Sequence, residues 1–374
     1  MILPPATLGM LGGGQLGRYF VMSAHRLGYQ VIVLDPDPAS IAGAAADAQI
    51  VAAYDDAEAL RDLASRCDAV TCEFENVPAA SLALLEQHLP VRPAASAVRV
   101  CQDRREEKAF LTRAGVPVAP NLTLLPGEPL PALPSDLFPA ILKTAREGYD
   151  GKGQWTIHQA DELPAALAAS GVPCVLEKRL PLEGEFALTL ARSPSGAISA
   201  LPLVQNWHSG GILDQTRSPA NVPALEAEAQ RIAEHIIAAL DYVGVLTVEF
   251  FLVGGTLLVN EMAPRPHNSG HPSLDNAECS QFELQVRALC DLPLPEKAEV
   301  RPAILLNLLG DLWHKGTPDW AGVLALPGVH LHLYGKGEAR PGRKMGHVTI
   351  TGRDWPTVED TSRHVRSLLG LPPR

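Results

Sequence analysis

The stretch Lys143-Thr-Ala-Arg-Glu-Gly-Tyr-Asp-Gly-Lys-Gly-Gln154 combines three glycines with three basic residues, two acidic residues and a tyrosine. Apolar runs precede it at Pro139–Leu142 and follow it at Trp155–Ile157, which predicts a strand, a glycine-rich loop and a second strand. Glycines let backbone N–H groups approach an anion and lysines add point charges, which favours a loop that closes over phosphates. A solvated hairpin tip has a similar composition, and this stretch alone does not separate the two interpretations.

The bulk composition indicates a globular protein. A chain of 374 residues that is 46% hydrophobic and 20% charged predicts two or three domains. A net charge of −11 argues against nucleic-acid or anionic-membrane partners, which need a basic face. The six cysteines form no CxxC pair, as expected of reduced thiols in a cytoplasmic protein. The N-terminus lacks the pattern of a signal peptide, and no apolar run approaches the ~18 residues of a membrane span.

A second glycine-rich turn lies near the N-terminus. Gly12–Gly17 follows a predicted strand, Thr7–Leu11, and precedes a predicted helix that runs to about Leu27. The next strand, Gln30–Leu34, ends at Asp35, so the spacing matches the dinucleotide fingerprint G-x-G-x-x-G and favours an NAD enzyme. The physical content is narrower, because such a turn brings the phosphate of any nucleotide or sugar phosphate to a helix N-terminus. Glycines that serve only helix–strand packing are the alternative.

Acidic residues follow a later strand of the same predicted parallel sheet. Ala69–Phe74 reads as a strand whose end carries Glu73, Glu75 and Asn76. Ligands of open α/β sheets bind beyond the carboxyl ends of the strands. We therefore expect these side chains to hold a ribose or an amine, the alternative being a pair of solvated loop acids.

The middle of the chain predicts a small inserted domain. A charged helix at Cys101–Leu111 leads into seven prolines between Pro117 and Pro139, which indicate a connector. After the opening stretch come an Ala/Leu helix at Leu163–Ser170 and a strand at Val172–Leu180. A strand–loop–strand–helix–strand unit between larger blocks is typical of a lid.

Two carboxylates lie on the next predicted hairpin. Its strands carry Glu249 and Glu261 and are joined at Gly254-Gly255. A three-residue loop would place both carboxylates on one face of the sheet, which would suit Mg²⁺ once phosphate oxygens complete its ligands. A two-residue turn would place them on opposite faces, so the metal site depends on an assumed register.

The loop after this hairpin, Ala263–His271, contains an arginine, two histidines, an asparagine and a serine. That density of donors favours anion binding over a tight loop with capping side chains.

The C-terminal segment predicts strands and a final helix. The basic turn Arg340–Lys344 is suited to close over a phosphate or carboxylate of a substrate. His330 and His332 form an H-x-H pair with no third ligand nearby in the sequence, which favours the polar face of a half-buried strand over a metal site. The predicted elements are Ala303–Leu309, Val329–Tyr334, His347–Thr351 and Val358–Leu369.

Taken together, these motifs resemble the ATP-grasp superfamily. The resemblance rests on Lys143, the loop Gly148–Gln154, the turn Glu177–Leu180 with Glu185, and the paired Glu249 and Asn260-Glu261. Three further stretches, Gly12–Arg18, Pro264–His271 and Arg340–His347, are similar to the N5-carboxyaminoimidazole ribonucleotide synthetases of purine biosynthesis. The similarity runs from about residue 7 to residue 350.

The resemblance implies an α/β (overall α+β) ATP-grasp fold. We expect a Rossmann-like N-terminal parallel-sheet domain at 1–100 and a linker helix with a small lid domain at 101–185. A large ATP-grasp domain would follow at 186–374, with a C-terminal mixed β domain from about residue 297.

The family implies which residues bind ATP and Mg²⁺. Arg104 and Lys143 would contact the phosphates, Glu185 the ribose, and His208 would lie near the nucleotide. Glu249 and Glu261 would hold Mg²⁺ with help from Asn260. The loop over the phosphates would comprise Gly148, Tyr149, Asp150, Gly151, Lys152, Gly153 and Gln154. The adenine would meet the segment Glu177, Lys178, Arg179 and Leu180.

The family also implies where the second substrate binds. Gly14, Gln15 and Leu16 would receive the phosphate of aminoimidazole ribonucleotide, with Glu73, Glu75 and Asn76 at its ribose or base and Arg340 and Lys344 closing over it. The groups around the reacting centre would be Tyr149, Lys152, Arg265, His267, Asn268 and Lys344. The family often has arginine where this chain has Lys152, and lysine keeps the charge but loses the bidentate geometry.

The implied reaction is ATP-dependent carboxylation of 5-aminoimidazole ribonucleotide with bicarbonate, through carboxyphosphate, by a homodimeric enzyme. Rivals are another ATP-grasp ligase, such as a formate-dependent phosphoribosylglycinamide transformylase or a biotin carboxylase, an NAD-dependent oxidoreductase, and a non-catalytic nucleotide-binding regulator.

Overall fold

The N-terminal glycine-rich turn connects the first strand and helix of a parallel sheet, as predicted. We describe a computed structural model that covers residues 1–148, 152–296 and 299–374. The strands of this sheet, in the order β3-β2-β1-β4, are β1 (Thr7–Leu11), β2 (Gln30–Leu34), β3 (Ala48–Ile50) and β4 (Ala69–Cys72). The helices around it are α1 (Gln15–Arg26), α2 (Ala57–Arg66), α3 (Ala79–Leu85) and α4 (Ala95–Gln102). Leu11 and Cys72 are register partners, so the Gly12 turn and Glu73 leave the sheet side by side.

The charged helix predicted at Cys101–Leu111 is wrong in one respect, because the chain breaks at Asp103. Helix α4 ends at Gln102, and α5 (Arg104–Arg113) begins directly after Asp103. The Asp103 carboxylate accepts a hydrogen bond from the backbone N–H of Arg105 at 3.0 Å, which makes it the N-cap of α5. Leu111 of α5 packs in one hydrophobic cluster with Phe186, Val248 and Val259, so α5 lies against the large antiparallel sheet described below.

The predicted lid is a separate antiparallel sheet with the order β5-β8-β6-β7. Its helix, α6 (Leu163–Ser170), has the predicted bounds, and the side chains of Leu163 and Leu167 are buried against the sheet. The glycine-rich loop joins β6 to β7, so the strand–loop–strand prediction is confirmed. The strands are β5 (Asn121–Leu124), β6 (Ala140–Thr144), β7 (Gln154–Ile157) and β8 (Cys174–Lys178).

The remaining strands form one antiparallel sheet in the order β14-β13-β9-β11-β12-β15-β17-β16, with β10 paired to β9. Its strands are β9 (Gly184–Arg192), β10 (Ile198–Ala200), β11 (Val204–Ser209), β12 (Ile212–Ser218), β13 (Gly244–Val253), β14 (Thr256–Ala263), β15 (Ala303–Leu309), β16 (Val329–Leu333) and β17 (Lys344–Thr351). The associated helices are α7 (Pro223–Ala239), α8 (Ser273–Asn276), α9 (Gln281–Cys290), α10 (Trp320–Leu324) and α11 (Trp355–Leu369).

The C-terminal segment contains the strands that we expected. They pair antiparallel with one another and continue the large sheet through the pairing of β12 with β15. Helix α11 begins earlier than predicted because the Asp354 carboxylate accepts from the backbone N–H of Thr357 at 2.9 Å and caps it. The division of the chain at residues 100 and 185 stays a prediction.

Within the described residues, we find no helix of the length and apolar character that crossing a membrane requires.

Candidate active site

One cleft of about 1130 Å³ contains most of the residues that the sequence singled out. Gly14 and Gly153 do not line it, and Tyr149, Asp150 and Gly151 lie outside the described residues. The predicted residues that line the cleft are Gln15, Leu16, Glu73, Glu75, Asn76, Arg104, Lys143, Gly148, Lys152, Gln154, Glu177, Lys178, Arg179, Leu180, Glu185, His208, Glu249, Asn260, Glu261, Arg265, His267, Asn268, Arg340 and Lys344.

The predicted metal carboxylates share one face of the sheet, but the three-residue loop assumed for them is wrong. Strands β13 and β14 are joined by a two-residue turn, Gly254-Gly255, in which both glycines have positive φ. A regular ladder from this turn would place Glu249 opposite Asn260. A β-bulge shifts the register instead, so that Glu249 pairs directly with Glu261. The bulge, with Asn260 as its extra residue, restores the shared face, a feature that strand alternation could not predict.

His267 holds Glu249 in its ionised form. Its Nε2 lies 3.0 Å from Oε1 of Glu249, and its Nδ1 lies 2.8 Å from Oγ of Ser269. Burial disfavours the charge on Glu249, but His267, His208 and Lys344 outweigh burial and hold the pKa of Glu249 at about 2. The backbone N–H of Ser269 also points to Nδ1, at 3.3 Å, so Nδ1 is the acceptor of this pair and Nε2 carries the proton that is donated to Glu249.

Arg104 contacts Glu261, the second carboxylate of the hairpin, and Lys143 reaches the neighbouring Asn260. Both terminal nitrogens of Arg104 lie 3.2 Å from Oε2 of Glu261. Lys143 Nζ lies 2.8 Å from Oε2 of Glu177 and 3.5 Å from Oδ1 of Asn260. The Glu177 side chain is only 3% exposed, and its carboxylate forms ion pairs with Lys108 and Lys143. Residues 177–180 all line the cleft, and the contact of this segment with adenine stays a prediction.

Glu185 and His208 form a second acid–histidine pair, with His208 Nδ1 2.9 Å from Oε2 of Glu185. Burial lowers the pKa of His208, but the neighbouring Glu185 outweighs burial and the net pKa is raised. The pair lies on the neighbouring strands β9 and β11.

The glycine turn after β1 is filled by the carboxylates of the chain itself. Glu73 accepts hydrogen bonds from the backbone N–H groups of Gly14 at 2.8 Å and Gly17 at 2.6 Å, and Asp35 accepts from Gly13 at 2.6 Å. A Cβ on Gly14 would stand 2.3 Å from the Glu73 carboxylate, so a side chain at this position would displace that carboxylate. Burial raises the pKa of Glu73 to about 7 in spite of the two hydrogen bonds. Of the residues predicted to receive a phosphate, Gln15 and Leu16 line the cleft.

Arg265 connects the N-terminal sheet to the hairpin loop. Its Nε and Nη2 atoms lie 2.5 Å and 3.2 Å from the two carboxylate oxygens of Glu75, a bidentate pair. Burial disfavours the charge on Glu75, but Arg265 outweighs it and holds the pKa of Glu75 at about 2. Glu75 and Arg265 are 190 positions apart in the sequence, so sequence reasoning does not pair them.

The H-x-H pair has further polar partners, Asp275 and His347, although no third ligand is apparent nearby in the sequence. His332 Nε2 lies 2.9 Å from Oδ2 of Asp275, and its ring stacks on buried His347 with the centroids 4.4 Å apart and the planes at 14°. Nitrogen lone pairs lie in the ring plane, so two stacked rings do not direct them at one ion. The arrangement favours a packed polar cluster, in agreement with the structural interpretation of the pair.

Several residues of the site carried no clear sequence signal. Gln281 is fully buried in the first turn of α9, where it accepts from the backbone N–H of His267 at 2.9 Å and donates to its carbonyl at 2.8 Å. Arg146 lines the cleft and pairs with Asp103 at 3.0 Å. Glu107 lines the cleft, and buried Lys108 lies beside it in the same charged stretch as Arg104, the one residue of that stretch that the sequence analysis assigns to the site.

Three family models match successive parts of the chain. A ribonucleotide synthetase preATP-grasp domain matches residues 5–102, an ATP-grasp domain residues 109–282, and a phosphoribosylaminoimidazole carboxylase C-terminal domain residues 303–361.

Whole-length similarities agree with these models. The chain is 41% identical to the N5-carboxyaminoimidazole ribonucleotide synthase of Pseudomonas aeruginosa over 97% of this chain and 99% of that protein. The Staphylococcus aureus N5-carboxyaminoimidazole synthetase in complex with ADP superposes with a TM-score of 0.88 at 36% identity, covering 99% of this chain and 98% of that one. The Aspergillus clavatus synthase in complex with ADP and 5-aminoimidazole ribonucleotide gives 0.86 at 32% identity, over 98% and 99% of the two chains.

Proposed function

The chain belongs to the family of N5-carboxyaminoimidazole ribonucleotide synthases, which are ATP-grasp ligases, and on that premise we propose how its cleft carboxylates 5-aminoimidazole ribonucleotide. The substrates are ATP, bicarbonate and the ribonucleotide, and the products are N5-carboxyaminoimidazole ribonucleotide, ADP and phosphate. The observation that carries the proposal is the convergence of phosphate-type cations, paired carboxylates and the Arg265–His271 loop in one cleft.

The first step is phosphoryl transfer. A bicarbonate oxygen attacks the γ-phosphorus of ATP, the bond from that phosphorus to the β–γ bridging oxygen breaks, and ADP leaves with its electron pair. Such a step needs positioning and charge neutralisation more than covalent chemistry. Arg104, Lys143 and Lys152 line the cleft and supply positive charge for the phosphates.

The second step moves the carboxyl group. The exocyclic amine of the ribonucleotide attacks the carboxyl carbon of carboxyphosphate, and the bond from that carbon to the bridging oxygen breaks. Phosphate leaves and takes up the proton that the amine loses. Carbon dioxide released within the cleft is an equivalent acceptor. Both species need protection from water, so we assign the lid the task of excluding solvent.

Glu249, Glu261 and Asn260 fit a magnesium site. Their oxygens are the hard ligands that Mg²⁺ prefers, and the bulge brings the two carboxylates to one face. Bound Mg²⁺ would neutralise charge on the ATP phosphates. Arg104 and His267 balance the same carboxylates in the structure described here, so both would have to share them with the ion.

The bicarbonate and ribonucleotide roles follow from the remaining pairs. We assign Arg265 to orient bicarbonate or the transferred phosphate, with Glu75 fixing its plane. His267 donates to Glu249, so we assign it to holding that carboxylate and not to accepting the amine proton. The N–H groups of Gln15 and Leu16, with Arg340 and Lys344, would bind the phosphate of the ribonucleotide. A cytoplasmic location and a homodimer stay predictions of the family resemblance.

The test is a coupled assay of ADP release by the purified protein. We expect turnover only when ATP, bicarbonate and 5-aminoimidazole ribonucleotide are all present. The controls omit bicarbonate or replace the ribonucleotide with phosphoribosylglycinamide and formate, or with biotin. Turnover with a replacement acceptor, or without bicarbonate, would refute the proposal.

A further inference from the structure

The bulge that aligns Glu249 with Glu261 lies on an edge strand of the large sheet. Strand β14 is the last strand on its side of the large sheet in the described part of the chain. A bulge leaves the backbone groups of its extra residue without ladder partners. On the open side of β14 the described chain provides one isolated bridge, in which the N–H of Val259 donates to the carbonyl of Pro117 at 2.8 Å, and this bridge involves Val259 and not the bulge residue. The conformation at Asn260 therefore needs support from outside the sheet.

That support comes from two consecutive residues of α5. The Nζ of Lys108 donates to the backbone carbonyl of Asn260 at 2.7 Å, and Oε1 of Glu107 accepts from the backbone N–H of Met262 at 2.5 Å. Residues 260 and 262 flank Glu261, so the two side chains clamp the backbone on either side of a proposed metal ligand. Glu107 and Lys108 are 3% and 2% exposed, so neither contact competes with bulk water.

Lys108 also reaches the lid sheet. Its Nζ lies 3.5 Å from Oε1 of Glu177 on β8, whose other oxygen pairs with Lys143. Lys143 in turn lies 3.5 Å from the side-chain oxygen of Asn260. Asn260 is thus approached at its carbonyl by Lys108 and at its side chain by Lys143.

We propose that Glu107 and Lys108 are positioning residues, which hold the bulge at Asn260 so that Glu249 and Glu261 bind a divalent cation together. The inference rests on the proposed metal site. It extends that site to two buried residues on a different element. Groups that orient metal ligands typically change metal affinity by about 10- to 100-fold when they are removed.

The alternative is a purely structural role. Buried Lys–Glu contacts often affect stability alone, because removal of one partner leaves an uncompensated charge. A structural role predicts a lower unfolding temperature with unchanged cation affinity in the fraction that folds. Positioning predicts weaker cation binding in a folded protein, and rescue by any side chain that keeps the hydrogen bond.

The experiment is a Mn²⁺ titration followed by electron paramagnetic resonance, with saturating ADP and no turnover. We expect Lys108→Met and Glu107→Leu to weaken Mn²⁺ binding by about 10- to 100-fold. Glu107→Gln keeps an oxygen that accepts from Met262, so its Mn²⁺ affinity should stay within about threefold of the parent. Glu106→Gln and Arg113→Met are matched controls, because both residues are exposed on the same helix.

Each outcome decides between the two roles. A folded Lys108→Met or Glu107→Leu variant with parental Mn²⁺ affinity would overturn the proposal, as would equal losses in Glu107→Gln and Glu107→Leu. If Lys108→Met does not fold, the Glu107 pair carries the test alone. Glu261→Gln tests the proposed metal site itself. If this variant binds Mn²⁺ as the parent does, the metal site is wrong. If it loses Mn²⁺ binding while the Glu107 and Lys108 variants keep it, only the positioning role is refuted.

Discussion

Glu249 on the bulged hairpin and Glu73 beside the N-terminal glycine turn line the same cleft, but the fold treats their charges in opposite ways. Side-chain cations around Glu249 outweigh burial, and its pKa lies at about 2. Glu73 accepts from backbone N–H groups, with Asp35 nearby, and its pKa is raised to about 7. Full charges compensate burial where backbone dipoles do not. Relative to an ordinary glutamate, the surroundings of the hairpin therefore favour the charged form of Glu249, and those of the turn favour the neutral form of Glu73.

The largest expected effect comes from removing one hairpin charge. Glu261→Gln keeps the shape of the side chain but halves the charge of the proposed metal site, so we expect kcat to fall by about 10³-fold or more. The measurement is ADP release at saturating substrates. Glu106→Gln, an exposed carboxylate on α5, should retain parental activity. Near-normal turnover in Glu261→Gln would remove this residue from the metal site.

Acid titration tests the hairpin half of the comparison. The folded-state pKa of Glu249 lies below its ordinary value, so its ionisation stabilises the fold above about pH 4.5 and this contribution is lost as the pH falls towards 2. Glu249→Gln should therefore cost roughly 3 kcal/mol of unfolding free energy at neutral pH and progressively less below pH 4.5. Urea unfolding of parent and variant at several pH values measures the difference, and a pH-independent difference contradicts the prediction.

Glu73, beside the glycine turn, should change the free energy of unfolding with pH in the opposite direction to Glu249. The folded-state pKa of Glu73 lies above its ordinary value, so the folded protein binds more protons between about pH 4.5 and 7 and loses stability as the pH rises through this range. Glu73→Gln stays neutral and removes that slope, so the variant should gain about 1–3 kcal/mol relative to the parent between pH 5 and pH 8. Unfolding curves at both pH values test this. Glu128→Gln, at an exposed loop position, should leave the slope unchanged.

The smallest expected effect comes from Ser269, which contacts His267 and not the hairpin carboxylate itself. Ser269→Ala removes the hydroxyl 2.8 Å from Nδ1 of His267 but leaves the backbone N–H of Ser269 in place. We expect a loss of about 1 kcal/mol in transition-state stabilisation, or roughly fivefold in kcat, because the tautomer of His267 is less well held. Steady-state kinetics measure it. A loss as large as that of Glu261→Gln would mean that the hydroxyl contacts a reacting group directly.

Local pattern predicted much of the fold. The parallel strands around Gly12–Gly17 and the helix Leu163–Ser170 were confirmed because apolar periodicity and turn glycines act locally. The helix break at Asp103 was missed because an aspartate reads equally well inside a charged helix and at its N-cap. The bulge at Asn260 was missed because its support comes from Lys108, more than a hundred residues away.

The candidate site was predicted in its residue types more than in its pairings. Glycines, lysines and carboxylates announce phosphate chemistry, and most of those selected line the cleft. The sequence did not indicate that Glu73 accepts hydrogen bonds from the backbone of the glycine turn that we expected to bind a phosphate. It also did not indicate that Glu177 forms an ion pair with Lys143. Which charge neutralises which depends on distances between elements, and only the fold sets these.

The pairing of β12 with β15 makes the C-terminal segment inseparable from the sheet that carries the hairpin. A chain cut near residue 300 would lose the strand that covers β12 and would present that strand's free N–H and C=O groups to other molecules. Such a fragment should self-associate through these groups. The same cut would remove the basic turn before β17, whose Arg340 and Lys344 line the cleft.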